Sequence, residues 1–117
     1  VPHPNLFGYT SALAAYQEGQ QWLDELLDYL RANRELMLDR INTLPGLSMH
    51  SPQATHLGWI NATDLNSRTP GKFFEKHGVG LSDGKPFGGD GYIRLNFGCP
   101  KQLLEIILER MEKALEI

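Results

Sequence analysis

The chain has 117 residues, of which 41% are hydrophobic and 21% charged, and its formal net charge is −3. This length predicts one domain with one modest core. The acidic balance, without a cluster of Lys and Arg, argues against nucleic acid as a partner, because phosphate binding needs a concentrated basic surface. No apolar run approaches the roughly 18 residues of a membrane span, so no membrane partner is expected. The single Cys99 excludes an internal disulfide and favours a reducing, cytoplasmic location.

A long helical pattern follows the first residues. Apolar side chains recur at helical spacing from Leu23 to Ile41 and form one stripe. Thr10 or Ser11 is the predicted N-cap, and the Leu-Pro-Gly sequence at 44–46 ends the helix. Gly19 predicts either a kink or a joint between two helices.

Short elements fill the rest of the chain. Strands are predicted at 47–50, 55–62, 79–82 and from 91 onward, with a brief helix at 69–78, a glycine-rich loop at 83–91 and a last helix that begins at Pro100. The fold class is therefore α+β: a small, mainly antiparallel sheet packed against long N- and C-terminal helices.

An arginine interrupts the apolar pattern of the last strand, GYIRLNFGCP at 91–100. Because side chains alternate across a strand, Ile93, Leu95 and Phe97 share one face and are expected in the core. Tyr92, Arg94 and Asn96 share the other face. From the spacing alone, Arg94 is either a solvated surface residue or an anion site, since a guanidinium binds a carboxylate with two parallel hydrogen bonds.

Other candidate motifs favour structural interpretations. His3, His50, His56 and His77 lack ligand spacing, so no metal site is expected. The loop at 83–91 has no G-x-G-x-x-G and leads into a strand, which favours a connecting loop over a phosphate site. Ser82 and Lys85 match S-x-x-K only formally, because Asp83-Gly84 predicts a turn. Cys99 has no base nearby in sequence, and Trp22 and Trp59 are expected in the core or at an interface.

Three stretches together resemble a known family: EGQQWLDELLDYLRANRELM, THLGWIN and KHGVGLSDGKPFGGDGYIRLNFGCP. They are similar to the C-terminal part of fold-type I pyridoxal-phosphate (PLP) enzymes, in the class I/II aminotransferase-like group that includes cystathionine β-lyases (C–S lyases). The resemblance implies that residues 9–117 are a C-terminal small domain and that residues 1–8 are a linker from a missing large domain. In that family the arginine of this strand, here Arg94, binds the α-carboxylate of the amino-acid substrate.

The resemblance also implies what lies elsewhere. The Schiff-base lysine belongs to the large domain, and Lys72, Lys76, Lys85, Lys101 and Lys113 match no such motif. We therefore expect the parent enzyme to bind PLP and to form a homodimer. This chain alone is expected to bind no PLP and to contain no catalytic residue. The expected parent reaction is C–S lysis, because the resemblance is closest to that branch, and amino-acid transamination is the alternative. A non-enzymatic interaction module is the alternative of a different class.

Overall fold

The computed structural model describes residues 5–115. Residues 1–4, which include His3 and half of the predicted linker, and residues 116–117 lie outside this range. Within it the helices are α1 Leu6–Glu18, α2 Gln20–Ile41, α3 Pro70–Lys76 and α4 Lys101–Leu115, and the strands are β1 Ser48–Met49, β2 Leu57–Asn61, β3 Ser82–Asp83 and β4 Tyr92–Asn96. None of the helices in the described range is long and apolar enough to cross a membrane.

The long helical pattern is divided at Gly19, which confirms the prediction of a joint. A Cβ at this position would lie 2.4 Å from the carbonyl oxygen of Ala15, so only glycine fits there without a shift. The predicted N-cap is wrong, because α1 begins at Leu6. The Asn5 side chain accepts a hydrogen bond from the Gly8 amide at 2.8 Å, whereas the Thr10 hydroxyl donates to the Leu6 carbonyl within the helix.

The four strands form one antiparallel sheet in the order β1-β2-β4-β3, which confirms the predicted α+β class. The strands predicted at 47–50 and 55–62 are too long, since β1 spans only Ser48–Met49 and β2 only Leu57–Asn61. Thr55 has a φ of +69°, a left-handed conformation that a strand does not contain, so β2 starts only at Leu57. The strand predicted at 79–82 is displaced toward the C-terminus. Val79, shortly after α3, packs into the core, and pairing with β4 begins only at Ser82.

The core lies between one face of the sheet and the helices α2 and α4. Ile93, Leu95 and Phe97 are all at most 3% exposed and belong to a single cluster with residues of both long helices, which confirms the predicted core face of β4. Gly58 of β2 permits this packing, since a Cβ there would lie 2.6 Å from the Met37 side chain of α2. The opposite face of the sheet is left for polar and aromatic residues.

The N-terminal helix stands apart from this core. No residue of α1 is buried, and Phe7 and Tyr16 are 81% and 91% exposed. Trp22, at the start of α2, is 67% exposed and is therefore not a core residue of this chain. The described part is elongated and measures 53 × 33 × 24 Å. Helix α1 and the start of α2 up to Trp22, here called the helical arm, present a large apolar surface.

Candidate functional site

Arg94 lies at the middle of β4, on the face of the sheet that points away from the core. Its neighbours across the strands are Trp59 of β2 and Ser82 of β3, and all three side chains are half-buried. Strand alternation explains this placement, because the flanking Ile93 and Leu95 are drawn into the core. The predicted division of the strand into an apolar and a polar face is therefore confirmed.

Two contacts support the guanidinium group of Arg94. Nη2 donates a hydrogen bond to Ser82 Oγ at 3.3 Å, and Cζ lies over the ring of Phe87, 4.4 Å from its centre. Within residues 5–115 no carboxylate forms an ion pair with this arginine. A half-buried guanidinium without a counter-ion is a favourable place for a small anion, above all a carboxylate that two parallel N–H donors can bind.

An aromatic group surrounds Arg94 on the same face. Trp59 stacks on Tyr92, with ring centres 5.5 Å apart and an angle of 15° between the ring planes. Phe87 contacts Trp59 in an edge arrangement, with ring centres 6.4 Å apart. These are favourable arrangements of aromatic pairs. Beside this group lies a groove of about 350 Å³, which is lined by Ser48, His50, Ser51, Pro52, Trp59, Asn61 and Tyr92.

The glycine-rich loop brings Phe87 to this face. A 3-10 turn occupies Lys85–Phe87, and Gly88 follows it with a φ of +82°. The Gly84 amide donates to the Tyr92 carbonyl at 2.8 Å, which closes the loop onto β4. The loop connects two strands, as predicted, and the Lys85 amide bonds the Asp83 carboxylate at 2.9 Å in the expected turn. The contribution of Phe87 to the site was not predicted, since nothing in the sequence places a loop side chain over a strand.

A buried amide fixes the segment that follows β4. Asn33 of α2 is 1% exposed, and its Nδ2 donates to the carbonyl oxygens of Phe97 at 3.0 Å and Cys99 at 2.9 Å. Burial raises the pKa of the Cys99 thiol, which disfavours the nucleophilic thiolate. This agrees with a structural position for Cys99.

The lysines do not form a cofactor site among the described residues. The side chains of all five are exposed, and none lines the groove beside Trp59: Lys72, Lys76, Lys85, Lys101 and Lys113. A lysine that forms a Schiff base needs a desolvated position close to the reacting atoms. The residues described here therefore do not fit the covalent attachment of PLP.

Comparison with known proteins identifies the family. The sequence profile of aminotransferase class I and II matches residues 8–111, and the chain belongs to this family. It is 36% identical to the protein MalY of Escherichia coli K12 over 87% of this chain and 28% of the relative. Cystathionine β-lyases of Corynebacterium glutamicum and Bacillus subtilis are also among its relatives.

Solved structures agree with this assignment. The crystal structure of OvoB has 54% sequence identity and a TM-score of 0.96 over 99% of this chain and 31% of that one. The PLP-bound C–S lyase of Staphylococcus hominis, complexed with L-cycloserine, has 27% identity and a TM-score of 0.87 over 98% of this chain and 30% of that one. The chain thus spans about a third of the length of the proteins it matches.

Proposed function

We propose that this chain is the C-terminal small domain of a PLP-dependent C–S lyase of the cystathionine β-lyase type, in which Arg94 binds the α-carboxylate of the amino-acid substrate. In this proposal residues 9–117 form the small domain, and residues 1–8 are the linker from the large domain. The observation that carries the proposal is the half-buried guanidinium of Arg94, which has no carboxylate partner among residues 5–115.

The chemistry assigned to this chain is binding and orientation. Two parallel hydrogen bonds from one guanidinium fix both the position and the rotation of a carboxylate. Orientation of the Cα–H bond, which must be broken before a β-substituent can leave, accounts for a large share of the rate in such reactions. PLP, in this proposal, is bound by residues outside this chain.

Transamination of amino acids is the second candidate. An aspartate aminotransferase of Pyrococcus horikoshii and an LL-diaminopimelate aminotransferase of Desulforudis audaxviator are also relatives, at 26% and 30% identity. Lyases and aminotransferases alike need to bind the substrate carboxylate, so Arg94 has the same role in both. We favour C–S lysis over transamination because the cystathionine β-lyases named above reach 32% and 33% identity.

The helical arm supports the proposal of a missing large domain. Leu6, Phe7 and Leu13 of α1 are between 58% and 81% exposed, and Trp22 of α2 is 67% exposed. A surface of this kind is a contact surface in a stable protein. Because the matched proteins are about three times as long, we propose that the rest of the same polypeptide covers the apolar surface of the helical arm, in a cytoplasmic homodimer.

The products formed from S-methyl-L-cysteine by the full-length enzyme distinguish the two reactions. A C–S lyase consumes water and releases methanethiol, ammonia and pyruvate in equal amounts. An aminotransferase releases no thiol and transfers the amino group to an added 2-oxo acid. Stoichiometric methanethiol release is the expected result. Transfer without thiol release would favour the second candidate, and the absence of both would contradict the proposed function.

A further inference from the structure

We propose that Phe87 is a positioning residue for Arg94: its ring holds the guanidinium in place without using the N–H donors that bind the substrate carboxylate. This inference rests on the proposed function of Arg94. It concerns a loop residue that is 57% exposed in this chain.

The chemistry of the contact explains why a ring is suited to this position. The Cζ atom of Arg94 lies 4.4 Å from the ring centre of Phe87, well inside the roughly 6 Å within which an aromatic face attracts a cation. Such a ring does not occupy the in-plane N–H groups. An acidic neighbour would do so: Arg34 gives both Nε and Nη2 to one oxygen of Glu35, at 2.9 and 2.7 Å. Arg94 gives one donor to Ser82, and no ion pair within residues 5–115 uses the remaining donors.

The position of the Phe87 ring is fixed by its loop and by Trp59. The Gly89 amide donates to the Gly84 carbonyl at 3.1 Å, and Gly84 in turn bonds Tyr92, so the loop is closed at its base. Gly89 lies directly against the indole of Trp59, where a Cβ would be 2.3 Å from Cζ2. Trp59 is itself held by stacking on Tyr92, and its edge contact to Phe87 completes a continuous series of contacts from β4 to the guanidinium.

A double-mutant cycle in the full-length enzyme tests the inference, with kcat/KM for S-methyl-L-cysteine as the measurement. Phe87→Leu retains an apolar side chain but removes the π face, and we expect about a 2- to 30-fold loss, the range that cation–π contacts support. Phe87→Tyr keeps the ring and should retain nearly full activity. In the Arg94→Ala background Phe87→Leu should cause no further loss, because Phe87 acts only through Arg94.

Each result has a distinct meaning. An equal loss from Phe87→Leu in both backgrounds, or no loss in either, would overturn the positioning role. A Phe87→Tyr variant as impaired as Phe87→Leu would overturn it as well. If Arg94→Ala alone has no effect, the proposed function fails, and this inference fails with it. If Arg94→Ala is severely impaired while Phe87→Leu is silent, only the positioning role is wrong.

Discussion

Gly89 of the glycine-rich loop lies against the indole of Trp59, so close that a methyl group on its Cα would be 2.3 Å from Cζ2. The contact joins the loop that carries Phe87 to the strand opposite Arg94. Glycine is required at position 89 because the loop can approach the sheet this closely only where no side chain intervenes.

Replacement of Gly89 by alanine in the full-length enzyme should displace the loop and with it Phe87. We expect kcat/KM for S-methyl-L-cysteine to fall, together with a destabilisation of about 1–3 kcal/mol from overpacking. Gly80→Ala is the matched control, because a Cβ at Gly80 meets no atom within 4 Å. Equal activity of the two alanine variants would show that the contact of Gly89 with Trp59 does not influence the site.

Asn33 should be a determinant of stability. Asn33→Ala removes the donor for the buried carbonyl group of Phe97 and for the part-buried one of Cys99, and an unsatisfied buried polar group costs about 1–3 kcal/mol. We expect a clearly lower urea midpoint of unfolding. The exposed Asn66 provides the control variant Asn66→Ala, which should unfold close to the wild-type midpoint. A wild-type midpoint for Asn33→Ala would contradict the role of this amide.

The ion pair between Arg40 of α2 and Glu112 of α4 should make stability dependent on pH. The hydrogen bond from Arg40 lowers the pKa of the Glu112 carboxyl from its ordinary value of 4.5. A carboxyl whose pKa is lower in the folded state stabilises the protein above its unfolded pKa, and this stabilisation is lost as the pH falls through the folded pKa. Glu112→Gln should therefore be less stable than wild type at pH 6, as measured by urea unfolding (about 0.5–1 kcal/mol for a partly exposed pair). The two proteins should converge in stability as the pH falls below 4.5 through the folded pKa of Glu112.

Glu75→Gln on α3 is the control for this pH dependence, since its side chain is exposed and forms no ion pair among the described residues. It should follow the wild-type stability throughout this pH range. A constant difference between Glu112→Gln and wild type across this pH range would rule out the ion pair as its source.

The isolated chain should not retain PLP. All five lysines are exposed, and the residues described here offer no enclosed position for a Schiff base. After incubation with PLP and exhaustive dialysis, we expect no cofactor to remain with the chain, and full-length enzyme treated in the same way should retain it. Stoichiometric retention by the isolated chain, fixed to a single lysine by borohydride, would refute this prediction.

Strand alternation was sufficient to predict the two faces of β4, because core packing of Ile93 and Leu95 leaves Arg94 only the opposite face. Glycine at position 19 likewise indicated the division of the long helix. The neighbours of Arg94 could not be predicted in the same way. Trp59 and Ser82 face Arg94 through the register between strands, which depends on the whole sheet.

Phe87 was the hardest residue to predict. Its position depends on the closure of a loop whose Gly88 and Gly91 adopt φ values of +82° and +78°. The sequence shows these glycines only as a general turn signal. The N-cap at Asn5 was missed for a simpler reason: Asn5, Thr10 and Ser11 are all suitable N-caps, and local preference does not choose among them.

The most direct test of the carboxylate-binding role uses Arg94→Ala and Arg94→Lys in the full-length enzyme. The substrates are S-methyl-L-cysteine and 2-(methylthio)ethylamine, the same molecule without its carboxylate. Deletion of one partner of a desolvated charged contact costs roughly 2–5 kcal/mol, or about thirty- to several-thousand-fold in kcat/KM. Lysine should restore only part of this loss, because an ammonium lacks the planar fork.

The decisive quantity is the ratio of kcat/KM for the amino acid to that for the amine, measured in wild type, in both Arg94 variants and in the control Arg110→Ala. Arg110 is exposed on α4, which packs against the other face of the sheet. We expect the ratio to collapse in Arg94→Ala, with the rate on the amine and the fold stability nearly unchanged, and to remain at the wild-type value in Arg110→Ala. Equal losses on both substrates, or an Arg94→Ala enzyme that keeps the wild-type ratio, would contradict the assignment of Arg94 as the carboxylate-binding residue.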